Sequence, residues 1–125
     1  MTPEGRVLKA CMTYLAACGI FCFRNNTGGT PLHDGSGRYR PAPKSSVGSA
    51  DIIAVIPRRM WVQDSNAHWW PPTALAIECK SARGKQSPAQ RAFQAKWEAA
   101  GGLYVLARSV DELRNGLRDA GVEAR

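Results

Sequence analysis

Apolar positions recur along this chain with two different periods, and each change of period marks a new element. Leu8, Cys11, Met12 and Leu15 return at spacings of three and four residues, which predicts an amphipathic helix over 3–18 with Pro3 in its first turn and Gly19 as its stop. Residues 20–24 are short and β-rich, and the run Asn25-Asn26-Thr27-Gly28-Gly29 ends them in a turn. Residues 25–49 read as one long Gly/Pro/Ser-rich loop, a length that is usually functional or partly disordered. Two unbroken apolar runs follow, Ile52–Ile56 and 74–77, each of strand length and suited to a core. The simplest link between them is a long antiparallel hairpin through 57–72.

Ser87-Pro88-Ala89-Gln90 has the form of a capping box with proline at the first helical position, and Phe93, Trp97 and Ala100 then share one face. Gly101-Gly102 stops that helix, Leu103–Ala107 reads as a further buried strand, and Ser109 with Glu112 opens a last helix turning Leu113 and Leu117 inward. The predicted order is helix, three strands, helix, strand, helix. At 125 residues this is a single α/β domain spanning 1–125.

Composition narrows the class. With 44% apolar and 22% charged residues, disorder, collagen and coiled coil are disfavoured. Seventeen Lys and Arg against ten acids leave a net charge of +7, which favours a polyanionic partner. The apolar stretch 7–23 is broken by Lys9, Thr13 and Gly19, so neither a secretory signal nor a membrane span is expected, and the reading is cytoplasmic. Cys11, Cys18, Cys22 and Cys79 lack any C-x-x-C spacing and read as reduced thiols, not as a zinc site.

The chemistry lies at the ends of the two central strands. A hairpin centred on Asp64 and Ser65 sets Asp51 opposite Glu78, Ile53 opposite Ala76 and Val55 opposite Ala74, so one register yields an acid pair and an apolar body together; a slip of one or two residues would make the acid pair diagonal. Glu78 and Lys80 then share a face while Cys79 points to the other. Two adjacent carboxylates resist joint ionisation unless a cation lies between them, and a hard divalent ion such as Mg²⁺ supplies it. The alternative for any D…E-x-K set is an ion pair capping the sheet edge. Arg83 and Lys85 follow directly as phosphate clamps, and Arg24, Arg38, Arg40 and Lys44 extend the basic stripe; the alternative is a merely soluble surface. Trp61, Trp69 and Trp70 with Pro71 and Pro72 concentrate apolar area on the hairpin, which suggests a partner surface: a homodimer first, stacking on unpaired bases as the rival.

Gly48-Ser49-Ala50-Asp51, Ile77-Glu78-Cys79-Lys80 and Ser87-Pro88-Ala89-Gln90, followed by a glycine and the strand LYVLARS, resemble the VRR-NUC domain of the PD-(D/E)XK nuclease superfamily. Glu4 and the turn Arg24-Asn25-Asn26-Thr27-Gly28 match that family upstream, so the likeness covers roughly residues 3–115; Ala50 departs from it, because proline commonly precedes the aspartate. The resemblance implies a restriction-endonuclease-like αβββαβ core, a mixed central sheet flanked by helices. It implies an Mg²⁺- or Mn²⁺-dependent endonuclease acting on branched DNA such as a Holliday junction, in the manner of stand-alone, phage-type members, without an organic cofactor. Asp51, Glu78 and the backbone carbonyl of Cys79 would be metal ligands, and Glu4 would reach the metal directly or through water. Lys80 would orient the attacking water with Gln90 in support, and Asn26 would join the basic residues at the nucleic acid. Structural readings remain beside these roles: Gln90 as third residue of a capping box, Glu4 meeting the helix macrodipole, Asn26 shaping a bend, His33 beside Asp34 as a loop pair, His68 on the hairpin surface. The alternative function is a catalytically silent nucleic-acid-binding subunit that keeps the fold.

Overall fold

The computed structural model describes residues 1–25, 30–40, 48–62 and 71–124. Helix α1 (Pro3–Ala17) begins where the Thr2 hydroxyl accepts the Gly5 N–H, with Pro3 just inside; it ends one residue earlier than predicted, with Cys18 as C-cap. Ile20 then tucks beneath the helix end, its N–H bonded to the Leu15 carbonyl, so β1 is only Cys22–Arg24. The chain continues through β2 (Thr30–Pro31), β3 (Tyr39–Arg40), β4 (Ile52–Ile56), β5 (Thr73–Cys79), α2 (Pro88–Ala99), β6 (Leu103–Ala107) and α3 (Val110–Asp119).

Strands β1, β4, β5 and β6 form one sheet in that order, antiparallel at the first two joints and parallel at the last. This is the mixed α/β, restriction-endonuclease-like core that the sequence implies. Ile53 pairs with Ala76 and Val55 with Ala74, the register of a hairpin centred on Asp64 and Ser65. Strand β5 runs two residues beyond its apolar stretch because Glu78 and Cys79 pair with Leu106 and Ala107 of β6. That extension fixes Glu78 inside the sheet.

The two faces of the sheet are covered differently. Ile52, Ala54, Ile56, Leu75 and Ile77 pack against Cys11 and Leu15 of α1 and Leu113 and Leu117 of α3, forming the main core. On the other face, Phe93 and Trp97 of α2 cover Ala76 and Tyr104, with the Trp97 indole N–H donating to the Leu103 carbonyl at 3.0 Å. Ala100, expected on that inner face, is instead the exposed C-cap of α2.

Two connections differ from the sequence reading. The stretch 25–49 is not a structureless loop, because β2 and β3 pair across a turn in which the Asp34 carboxylate accepts from both the Ser36 N–H and its hydroxyl. Two-residue strands leave no hydrophobic period to detect. After β4 the ladder does not simply continue toward a hairpin tip: a 3₁₀ turn at Arg58–Met60 buries Met60, and Trp61 pairs with Val122 beside α3. Trp61 is therefore half-buried against the core and not part of an exposed aromatic patch. His68, Trp69 and Trp70 lie outside the described residues.

Gly48 sits at φ +83°, and a Cβ there would lie 2.5 Å from the Ala89 carbonyl oxygen in the first turn of α2. Glycine alone lets the segment leading to Asp51 touch the helix that carries Gln90. Gly48→Ala should cost about 1–3 kcal/mol in chemical denaturation. Gly35→Ala, at φ +78° but with nothing nearby, should cost less; equal losses would show that the close approach is unimportant.

Candidate metal centre

Asp51 immediately precedes β4 and Glu78 lies near the end of β5, so the register that builds the core also brings these acids together. One Asp51 oxygen, Oδ2, accepts the Cys79 N–H at 2.7 Å, pinning the carboxylate across the strand joint. Alternation along β5 aims Ile77 and Cys79 at α1, and Ala76, Glu78 and Lys80 at the α2 face. Glu78 is 1% exposed. Its Oε1 accepts from Gln90 Nε2 at 2.8 Å and lies 3.7 Å from Lys80 Nζ, while its Oε2 is buried with no hydrogen-bond donor. Glu4 reaches in from the first turn of α1, and one oxygen from each of Glu4, Asp51 and Glu78 lies within 4.8 Å of the others.

Burial, and next the charge of Asp51, push the Glu78 carboxyl up to about 8, against the smaller opposing effect of Lys80. A buried carboxylate oxygen without a donor, beside two other carboxylates, needs either a proton or a cation. The donor set is all oxygen, which suits a hard divalent ion, and the orphaned Oε2 is an observation in favour of that fit. Three acids and one ammonium leave an excess of negative charge, which a proton on Glu78 or a bound cation would offset.

The competing readings of Gln90 turn out to be one arrangement. Its Oε1 accepts the Ser87 N–H to complete the capping box, and its Nε2 donates to Glu78. The cap orients the amide so that the other end serves the acid. Glu4 likewise lies in the first turn of α1, where the helix macrodipole favours an anion, and also in the acidic group.

Asn25 is the residue that sequence reasoning undervalued. Its side-chain amide donates to the Ser49 hydroxyl and to the Ala50 carbonyl, both at 3.0 Å, and its backbone N–H donates to the Asp51 carbonyl at 2.7 Å. It ties the end of β1 to the three residues that set Asp51. Its place in the Asn25-Asn26-Thr27-Gly28 run was the available signal, but the run reads equally as a turn.

The proposed phosphate contacts are more scattered. Arg83 and Lys85 are exposed in the loop after β5, which Arg108 steadies by donating to the Gly84 carbonyl at 2.9 Å. Arg24 is exposed at the end of β1. Arg38 is drawn toward Asp34 at 4.0 Å in the β2–β3 turn. Asn26 and Lys44 lie outside the described residues, and of Arg40 only the strand position is described. None of Cys11, Cys18, Cys22 and Cys79 is in a disulfide, and the neighbouring Cys11 thiol, with burial, pushes the Cys79 thiol up. Among the described residues no helix is long and apolar enough to cross a membrane.

Neither a protein-family profile nor a curated protein sequence matches the chain. A solved structure described as a VRR_NUC domain does, with a TM-score of 0.58 over 95% of this chain and 97% of that one, at 18% identity. The chain therefore has the fold of a VRR_NUC domain, as its motifs implied.

The raised Glu78 carboxyl makes the metal-free protein pH-dependent. The folded state holds a proton that the unfolded chain, titrating near 4.5, has already released. Stability in EDTA should fall as pH rises from 4.5 toward 8, by at most about 1.4 kcal/mol per pH unit. Glu78→Gln should flatten that slope, and Mg²⁺ or Mn²⁺ should restore stability more at pH 8 than at pH 5. An unchanged slope in Glu78→Gln denaturation curves would refute the assignment.

Proposed function

We propose that this protein is a Mg²⁺- or Mn²⁺-dependent endonuclease that hydrolyses phosphodiester bonds in branched or structured DNA. The observation that carries this reading is the convergence of Glu4, Asp51 and Glu78 around a buried, donorless carboxylate oxygen with Lys80 alongside. Asp51, Glu78, Glu4 and the Cys79 carbonyl would hold the ion. A divalent cation held there would supply Lewis-acid chemistry: it would lower the pKa of a water, orient the phosphate and offset charge on the leaving oxygen.

The remaining work falls to the chain. The Cys79 N–H keeps Asp51 from rotating away, and Gln90 keeps Glu78 from turning toward Lys80 alone. The Lys80 ammonium, 3.7 Å from Glu78, orients the attacking water and stabilises charge on the phosphate. Arg83 and Lys85 meet the backbone phosphates beside it. Cutting two strands of a junction takes two cleavage centres, which a two-fold homodimer supplies.

Asp51→Ala and Glu78→Ala should abolish Mg²⁺-dependent cleavage of a four-way junction, a flap or a linear duplex while leaving DNA affinity in EDTA within about threefold, because the phosphate contacts lie elsewhere. Lys80→Ala should slow cleavage by about a hundredfold or more. Gel assays on the three substrates decide it: cleavage at the wild-type rate by either acid variant rules out this site, and binding without metal-dependent products points to the silent subunit.

A further inference from the structure

The acidic centre shares its sheet face with an aromatic surface that the nuclease reading does not use. Phe23 pairs with Ile53, and Ile53 packs with Ala76 and Tyr104 on the α2 side, the side on which Gln90 of α2 reaches Glu78. Phe21 lies two residues before Phe23 and accepts the Val55 N–H on its carbonyl, which continues the same face. The cluster that Phe93 and Trp97 of α2 join takes in β5, β6 and Ile53 of β4, but neither Phe21 nor Phe23. On the β1–β4 half Phe21 is 72% exposed and Phe23 49%, with ring centroids 6.4 Å apart. No described residue covers them.

Adjacent apolar rings left open on a sheet face mark a contact surface, and the charges on that face say what kind. Lys80 stands on the same face as the acids, and Arg83 and Lys85 follow it, exposed, in the next loop, whereas Arg24 pairs with Ile52 and turns to the α1 side. A polyanion that also offers flat apolar faces fits both halves of this surface. Duplex DNA hides its base faces, whereas a single strand presents them to aromatic side chains. A second copy of the chain fits less well, since the two rings supply at most about 500 Å² of the roughly 800 Å² per partner in a standard interface.

We infer that Phe21 and Phe23 form a ledge on which unpaired bases stack, so that the substrate class of the adjoining centre is DNA with a single-stranded segment beside the cleaved strand. The inference rests on the nuclease reading of that centre. It adds that bases splayed at a branch are gripped by β1 while the phosphate meets the acids.

Fluorescence anisotropy in EDTA tests the ledge apart from the chemistry, using a labelled oligothymidylate of about 12 nucleotides and a duplex of equal length. The double variant Phe21→Ser, Phe23→Ser should lose about tenfold or more in single-strand affinity and stay within about twofold on duplex. Phe23→Trp should keep single-strand affinity, and Asp51→Ala should bind the oligonucleotide as wild type does, so a failure of the catalytic assignment remains distinguishable. With Mg²⁺, the double variant should lose cleavage of a splayed-arm substrate more than of blunt duplex. Equal losses on both nucleic acids, no loss on either, or a fall in sedimentation mass with oligonucleotide affinity unchanged would each overturn the ledge, the last assigning this face to a contact between copies.

Discussion

One buried carboxylate constrains this molecule more than any other group. Glu78 is taken almost wholly out of water in the company of Asp51 and Glu4, and only one of its oxygens receives a donor. An uncompensated buried charge costs several kcal/mol, so the fold tolerates Glu78 only with a proton or a cation. Hydrophobic residues at these positions would give a more stable sheet end. Keeping acids there makes sense where the tension itself is used, and under the proposed function its use is to draw in a divalent ion.

The layers of the fold serve that arrangement. The parallel joint with β6 carries β5 far enough to place Glu78 inside the sheet, and the antiparallel joint with β4 returns the chain so that Asp51 meets the Cys79 N–H. α2 is docked by Phe93 and Trp97, and its capping box spends one end of the Gln90 amide on the helix start and the other on Glu78. α1 brings Glu4 from the opposite layer. Local rules that would form these elements anyway, caps and pairings, are also what orients the acids, so the centre requires little structure of its own.

Much of this was legible in the sequence because two short apolar runs that both face the core restrict the pairings open to them. Shifting β5 by one residue would turn Ile77 and Leu75 out of the main core, so the pairing that builds the core is also the one that brings Asp51 to Glu78. The capping box and the last helix were visible for a similar reason, since side chains at fixed spacing satisfy specific backbone groups. What escaped was set by contacts distant in the chain. Asn25 acts through Ser49 and Ala50, some 24 residues away. Trp61 leaves the hairpin for Val122, and β2 with β3 is too short to show a period. Which half of the sheet α2 leaves open also depends on packing, so Phe21 and Phe23 read only as part of a strand.

The most direct measurement is anomalous diffraction from crystals soaked in Mn²⁺, with the Glu78→Gln variant soaked in parallel. The account predicts one strong peak enclosed by the carboxylates of Glu4, Asp51 and Glu78 in the wild type, and its loss or marked weakening in the variant. A wild-type crystal with these three side chains ordered and no peak between them would contradict it.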